Sequence, residues 1–405
     1  MPAASIPQAA ALIEALASRR AIRTPWVKAA FEATHRHHFV PPAYRFPAPD
    51  GGLTEHAWNP AAPTEEDFGR IYADKVLVYK TSADGNESHV TLSEPGVNAL
   101  VCEGLQLADG LRIMEIGGGL GFQAALFSGA GGTNEVTALE IDEESAARAN
   151  RALAEFYPER PVRVVATDGW PGVAGAVFDR IVASVTCPDV SQAWIDQLAA
   201  GGRMLVPLAA AGWRGMLTLK RDGAQVKGRM VLPLGYLNLR GSHPATHGVQ
   251  VPVSELAPCG KDALTREPLS PMNFAHHLVI SLLGTCRGAG WFIAEDDVLK
   301  TGGFHPPAVR TVEPAGFAFL APDALVWGGH PAAREILRGT LREWEILGKP
   351  AIPDFEAEIL DRGAMRAGDP DALWLPLEEH ALRWVLKPLP KPQAAAENSS
   401  GARTT

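Results

Sequence analysis

The chain has 405 residues, 46% of them hydrophobic and 20% charged; this is enough apolar material for a large core, it excludes wholesale disorder, and the length implies two structured units plus tails. Thirty-seven Lys and Arg against 46 Asp and Glu give a net charge of −9, which excludes a general nucleic-acid binder, since phosphates need a basic surface, though a local basic patch stays open. The four cysteines, Cys102, Cys187, Cys259 and Cys286, lie far apart with no CxxC spacing; they support neither a zinc site nor a disulfide scaffold, and a reducing compartment fits.

Residues 7–20 predict a short amphipathic helix. Glu14 interrupts the apolar run and the first basic residues, Arg19 and Arg20, follow it, which is not the order of a signal peptide. No run of 18 apolar residues occurs, so no membrane span is expected and the cytoplasm is the default location. A second helix opens at Pro25. Residues 41–70, rich in Pro, Gly and Ala, read as irregular linker. A polar loop, SADGNESH (82–89), precedes a helix that starts at Pro95, with Leu100, Val101, Gly104 and Leu105 at helical spacing.

From residue 111 strand-length apolar runs alternate with helical stretches. They are LRIMEI (111–116) then GFQAALFSGA (121–130), VTALEI (136–141) then EESAARANRALAEFY (143–157), VRVVA (162–166), FDRIVAS (178–184) then SQAWIDQLAA (191–200), and RMLVPL (203–208). Such alternation predicts βαβ units in a doubly wound α/β sheet. GMLTLKRDGAQVKGRMVLPL (215–234) predicts two strands around a turn at Arg221-Asp222-Gly223, an antiparallel addition to that sheet. FAHHLVISLLG (274–284) is compatible with helix or buried strand. HPAAREILRGTLREWEILG (330–348) predicts an amphipathic helix ended by Gly348 and Pro350, ALRWVLKPL (381–389) a final strand, and the tail after it disorder.

The sharpest local signal is Glu115-Ile116-Gly117-Gly118-Gly119-Leu120-Gly121-Phe122, which follows a strand and opens a helix. Glycines there let the backbone turn tightly and approach a ligand. Gly119-Leu120-Gly121-Phe122-Gln123-Ala124 also satisfies a dinucleotide pattern, and Glu140 after the next strand suits a ribose in either class. Three features weigh against a dinucleotide. Glu115 ends the strand just before the glycines, where a carboxylate suits a cationic amino-acid end better than a pyrophosphate. Asp168, in ATDGW after the third strand, is placed to recognise an adenine. The glycine unit also lies mid-chain, after a long preamble.

These residues carry a resemblance. Glu115-Ile116-Gly117-x-Gly119-x-Gly121-Phe122-Gln123, Leu139-Glu140-Ile141 and Asp168-Gly169-Trp170 resemble the S-adenosylmethionine site of class I methyltransferases. With His37-His38-Phe39-Val40-Pro41, Thr91-Leu92-Ser93-Glu94-Pro95, Phe178-Asp179-Arg180-Ile181-Val182 and Gly201-Gly202-Arg203-Met204-x-Val206-Pro207, the set resembles the protein-L-isoaspartate O-methyltransferase family over about residues 25–240. The resemblance implies a Rossmann-like methyltransferase sheet, S-adenosylmethionine as cofactor, and a protein or peptide carboxylate as methyl acceptor. It implies Glu115, Gly117, Gly119 and Gly121 around the methionine half, Glu140 at the ribose, Asp168 and Gly169 at the adenine, and Ser93 as the catalytic residue beside the incoming carboxylate. No metal, nucleic acid or membrane partner is implied.

The chemistry asks little of the protein. A side-chain carboxylate, with an unperturbed pKa of about 4, is ionised at neutral pH and needs no general base. Holding the reactants in line is worth about 7–11 kcal/mol. Plainer readings stand beside the functional ones. Ser93 before Glu94-Pro95 is also a helix-cap pattern. His35, His37 and His38, like His276-His277, read as structural, since no second ligand cluster has fitting spacing. Trp170 and Cys187 read as packing residues. Trp344, Trp374 and Trp384 suit either burial or a peptide groove.

The expected organisation is a helical flank and linker (1–80), a methyltransferase core (81–240), a smaller mixed C-terminal domain suited to peptide recognition (241–390) and a disordered tail (391–405). The C-terminal extension departs from the common repair enzymes and resembles longer relatives that methylate aspartate in ribosomally made peptides. Glu94 is a second departure, standing where relatives commonly carry a neutral residue. The function expected first is methylation of L-isoaspartyl or D-aspartyl residues, leading to succinimide. The alternatives are tailoring of a precursor peptide, or a non-catalytic peptide-binding module.

Overall fold

A computed structural model of the protein describes residues 6–48, 52–82, 88–210, 213–232 and 236–245, and beyond them 250–252, 265–268, 280, 291–295, 307–311, 316–321, 324–351, 355–366 and 372–386. Helices α1 (Pro7–Ser18) and α2 (Pro25–Ala33) form where the sequence predicts them. Thr24 caps α2 by accepting from the Val27 N–H, and Pro25 occupies its first turn, where a missing N–H costs nothing.

The segment expected to be an irregular linker is structured. It forms a hairpin of β1 (Ala43–Pro47) and β2 (Leu53–Ala57), then α3 (Glu65–Ile71). Helix α3 is fixed by a capping box between Thr64 and Asp67, a Thr-x-x-Asp spacing that satisfies two of its free N–H groups. Strands β3 (Leu77–Thr81) and β4 (Ser88–Leu92) complete a sheet of order β2-β1-β3-β4. Helix α4 (Pro95–Leu105) follows directly.

The core alternates as predicted: β5 (Arg112–Ile116), α5 (Phe122–Phe127), β6 (Glu135–Glu140), α6 (Glu143–Phe156), β7 (Val162–Ala166), β8 (Phe178–Ala183), α7 (Gln192–Gln197) and β9 (Leu198–Ala210). Helix α7 is shorter than expected, because Leu198 to Ala200 already belong to β9. Strands β5 to β9 are parallel. The chain winds outward from β5 through β6 to β7, then returns to the other side of β5 as β8 and β9. The switch point therefore lies between β5 and β8, and ligands bind such sheets at the carboxyl ends of the strands there.

Strands β10 (Trp213–Asp222) and β11 (Gln225–Leu232) make the predicted antiparallel addition. Further along come β12 (Gln250–Pro252), β13 (Thr265–Pro268), β14 (Trp291–Glu295), β15 (Pro307–Thr311), β16 (Gly316–Ala321) and β17 (Ala324–Gly329), which form a separate six-stranded sheet. Helix α8 (Ala332–Ile346) packs against β15 and β16. It ends near Gly348, whose φ of +82° suits a glycine.

Strands β18 (Phe355–Asp361), β19 (Ala372–Pro376) and β20 (His380–Leu386) return to the core. Strand β18 pairs with β11, so the main sheet has ten strands, β19-β20-β18-β11-β10-β9-β8-β5-β6-β7. The sequence division at residue 240 thus separates strands that lie in one sheet. The physical reason is the edge that β11 would otherwise leave unpaired. The seam is reinforced by Glu358, whose carboxylate meets Lys227 at 3.0 Å and Arg383 at 2.9 Å.

Two apolar clusters hold the molecule, one gathering the N-terminal helices, α4, α5 and α6, the other α7, α8 and the C-terminal strands. Trp344 and Trp384 belong to the second and are buried, so burial rather than a peptide groove accounts for them; each such side chain contributes on the order of 1.5–3 kcal/mol. Trp170 and Cys187 are buried as expected. The 274–284 segment apart from Ile280, His276-His277, Cys259, Cys286 and the tail lie outside the described residues. Among the described residues no helix is long and apolar enough to cross a membrane.

Candidate active site

A cavity opens at the switch point, bounded by the glycine loop, by β4 and Ser93, and by residues 237–240. The glycine loop forms the floor. Gly117, Gly119 and Gly121 have φ of +82°, +53° and +87°, a region that costs other residues about 1 kcal/mol or more. At Gly117 a β-carbon would also lie 2.7 Å from a Val185 methyl, and at Gly121 it would lie 3.0 Å from the Ala149 β-carbon.

Glu115, the penultimate residue of β5, is buried at the cavity wall. One carboxylate oxygen, Oε1, accepts from the Gln123 amide at 2.8 Å and from the Ser184 hydroxyl at 2.7 Å. The other, Oε2, is buried without a partner. Burial pushes the carboxyl up to about 7, against the downward pull of the Ser184 and Gln123 bonds. A carboxylate held in this way is short of a cation.

Glu140 ends β6 and lines the same cavity. Its two oxygens accept from the Gly119 N–H at 2.7 Å and the Asp142 N–H at 2.9 Å. Burial raises its pKa while those bonds and Arg240 lower it. Each oxygen keeps a lone pair for a ligand hydroxyl.

Ser93 lines the same cavity. The helix-cap reading does not describe it: Glu94 is the N-cap of α4, and no side chain caps that helix. The Ser93 hydroxyl has no hydrogen-bond partner among the described residues. Burial, with Asp74 adding to it, raises the Glu94 carboxyl.

Gly169 lines the cavity, and Asp168 stands next to it in the chain. Its carboxylate accepts from the Trp170 N–H at 2.9 Å and the Ser242 N–H at 2.8 Å. Those bonds, with His243, hold its pKa down against burial. His243 stacks on Trp170 with ring centroids 4.4 Å apart. Asp168 therefore ties down the end of the 236–243 strap, whose earlier residues close the cavity. Thr186 fixes that stretch: its N–H donates to Leu237 and its carbonyl accepts from the Leu239 N–H, both at 2.8 Å.

Sequence reasoning missed Asn98 and Ser184. Asn98 is buried on α4 with its Oδ1 unpartnered, at the cavity. A lone Asn in a helix has no spacing that marks it. Ser184 directly follows β8, a position where a switch-point argument alone could have found it.

His35, His37 and His38 do cluster, with one nitrogen of each within 4.8 Å of the others. The Nδ1 atoms of His37 and His38 already meet the Tyr72 and Tyr157 hydroxyls at 2.7 and 2.9 Å. Burial lowers all three pKa values, and His38 stacks on Phe156 at 3.8 Å.

The family model for protein-L-isoaspartate(D-aspartate) O-methyltransferase matches residues 66–243. The protein-L-isoaspartate O-methyltransferase of Gloeobacter violaceus is 31% identical over 230 residues, covering 56% of this chain and 96% of that protein. That of Methanoregula boonei is 30% identical over 225 residues, covering 55% and 88%. An Anaeromyxobacter protein-L-isoaspartate O-methyltransferase 1 is 42% identical over 124 residues, covering 30% of this chain and 57% of that protein. A solved protein-L-isoaspartate O-methyltransferase structure shares the fold at a TM-score of 0.51 and 22% identity, over 86% of this chain and 96% of its own. At that coverage the shared fold continues past residue 243. With near-complete coverage of two relatives at 30% identity or more, and the family model across the cavity-forming segment, the chain belongs to the protein-L-isoaspartate O-methyltransferase family.

Proposed function

We propose that this protein is an S-adenosylmethionine-dependent carboxyl O-methyltransferase acting on L-isoaspartyl or D-aspartyl residues of proteins, whose esters collapse to succinimide. The observation that carries the reading is one cavity lined by the glycine loop, by Glu115 with an unpartnered carboxylate oxygen, and by Ser93 with an unpartnered hydroxyl. The residues fit the cofactor: Glu115 Oε2 suits an ammonium, Glu140 two ribose hydroxyls, and Gly117 and Gly121 keep a tight left-handed turn that a β-carbon would disrupt against Val185 and Ala149. When bound, S-adenosylmethionine supplies a methyl group already activated on a sulfonium.

The protein's share is positioning. Glu115, Glu140 and the glycine loop orient the donor. Ser93 donates a hydrogen bond that aims the acceptor carboxylate, and is not a nucleophile. The strap over the cavity excludes water. Because donor and acceptor charges cancel as the methyl moves, a strong counter-charge would stabilise the ground state more than the transition state. A reducing, cytoplasmic setting belongs to the same reading, with Cys102 and Cys187 as free buried thiols.

Methyl transfer from labelled cofactor to two peptides differing only in isoaspartate against aspartate tests the proposal. Preference for isoaspartate is the expected result; equal transfer, or transfer to neither, contradicts it. Ser93→Ala is expected to slow kcat about 10- to 50-fold, the worth of one hydrogen bond to a charged group, with cofactor Kd nearly unchanged. Parallel loss of both would contradict the assigned role.

Glu115 adds a pH signature. Its carboxyl lies at about 7 in the open cavity, and a bound ammonium favours the ionised form. Cofactor affinity should therefore rise as pH climbs from 6 to 7.5, roughly five- to tenfold by linkage. Beyond that the ligand's own amino group starts to lose its proton. Glu115→Gln should bind more weakly and without this slope; a slope that survives in the variant would assign it elsewhere.

A further inference from the structure

Arg36 begins the 3-10 turn Arg36–Phe39 and is almost fully buried. Its guanidinium makes no ion pair among the described residues and instead donates to five carbonyls. Nη1 donates to Ile71 at 2.7 Å and Ala73 at 3.0 Å, and Nη2 to Lys75 at 2.8 Å, Ser93 at 3.1 Å and, longer, Leu92 at 3.4 Å. Its Nε has no partner. A buried cation with no contacting carboxylate and one orphaned donor is expensive, and an apolar residue of similar volume would pack the same space at less cost.

The five carbonyls come from two places. Three belong to the end of α3 and the turn after it. Two belong to the end of β4 and the residue after it, and one of these is the carbonyl of Ser93, which lines the cavity. From the other side Asp74, in the same turn, accepts from the Gly96 N–H at 2.6 Å and from Arg19. The loop carrying Ser93 is thus clamped at both ends to residues 71–75. The planar fork of an arginine can reach all five acceptors at once, whereas an ammonium has three donors on one point.

We propose that Arg36 is a positioning residue for methyl transfer, holding the Ser93 backbone so that the hydroxyl points at the acceptor carboxylate. The inference rests on the Ser93 reading given above. Arg36 touches no reacting atom.

The test compares Arg36→Lys, Ser93→Ala and the double variant in the full chain, by methyl transfer to an isoaspartyl peptide, calorimetric titration with S-adenosylmethionine, and thermal unfolding. Arg36→Lys should keep cofactor Kd within about twofold while kcat falls about tenfold. Its kcat should also gain a descending alkaline limb that the parent lacks below pH 9, since a buried ammonium loses its proton far more readily than a guanidinium. In the Ser93→Ala background the Arg36→Lys penalty should shrink to under threefold, because the two act through one hydroxyl. A lower melting temperature with kcat unchanged would make Arg36 merely structural, and an equal penalty in both backgrounds would sever it from Ser93. A full-speed Ser93→Ala would remove the Ser93 reading and the inference with it, whereas a slow Ser93→Ala beside a full-speed Arg36→Lys would remove the inference alone. Should Arg36→Lys fail to fold, Asp74→Ala loosens the same loop at Gly96 and carries the same expectations for kcat, Kd and the double variant, the alkaline limb excepted.

Discussion

Glu140→Ala is expected to raise the Kd for S-adenosylmethionine roughly 100- to 1000-fold, the largest loss of binding from any single side chain of the cavity. Two costs combine. The variant forfeits hydrogen bonds from ligand hydroxyls to a buried carboxylate, each worth about 1.5–3 kcal/mol. It also removes the acceptor of the Gly119 and Asp142 N–H groups, which leaves the glycine floor free to relax from its left-handed geometry. Glu140→Gln should do little better. Both oxygens of Glu140 face backbone donors, so the amide –NH₂ must sit against one of them, donor to donor. Titration calorimetry checks both variants. A change below about fivefold in Glu140→Ala would mean that the ribose is held elsewhere.

The parts of this molecule legible in its sequence are those governed by local period. The core strands and helices were readable because apolar runs of five or six residues alternate with amphipathic stretches, and because Gly, Pro or Asp marks the changes between them. The glycine loop was readable for the same reason: strand, tight turn and helix are encoded in consecutive residues. Hairpin β1–β2 was not. Its second strand is almost wholly exposed, so no apolar alternation marks it, and the prolines and glycines around residues 47–52 dominate the local signal. The Thr64-x-x-Asp67 cap could have rescued α3.

What was illegible depends on residues far apart in the chain. The Asp168 carboxylate meets the Ser242 N–H, 74 residues away, a contact that no spacing rule anticipates. Arg36 reads in sequence as one charge in a histidine-rich turn; only the fold brings the carbonyls of residues 71–75 and 92–93 around it. The edge of β11 gives no hint that β18 covers it, since Val226, Lys227 and Gly228 pair with Ile359, Glu358 and Ala357, 129 to 133 positions further along the chain. Spacing rules describe helices, strands and turns. They do not describe which edge a returning strand will find.

Asp189→Ala should destabilise the fold by about 3–5 kcal/mol, the usual cost of breaking a buried charged pair by removing one partner. Asp189 is fully buried in the loop after β8. Its Oδ2 accepts from the Glu379 N–H at 2.7 Å and the His380 N–H at 3.0 Å, and its Oδ1 from the Val190 N–H at 2.6 Å and His380 Nδ1 at 3.1 Å. The substitution strands those donors at the point where the turn between β19 and β20 meets the core. His380 Nε2 lies 3.0 Å from the Gln192 amide oxygen, so both ring nitrogens face acceptors and the imidazolium is the form that fits. Asp189 accordingly raises the His380 pKa above its ordinary 6.5, overcoming burial. A raised histidine stabilises the fold fully below its unfolded pKa of about 6.5 and loses that contribution as pH climbs through the higher folded value. The protein should therefore resist denaturant better at pH 6 than at pH 8 through this pair. His380→Gln should flatten that difference while keeping the Asp189 bonds to the backbone, and so cost less than Asp189→Ala. Urea unfolding at the two pH values reads all three proteins. An unchanged pH difference in His380→Gln would move the effect to another group, and a loss under 1 kcal/mol in Asp189→Ala would mean that the C-terminal strands are held by the β11–β18 seam alone.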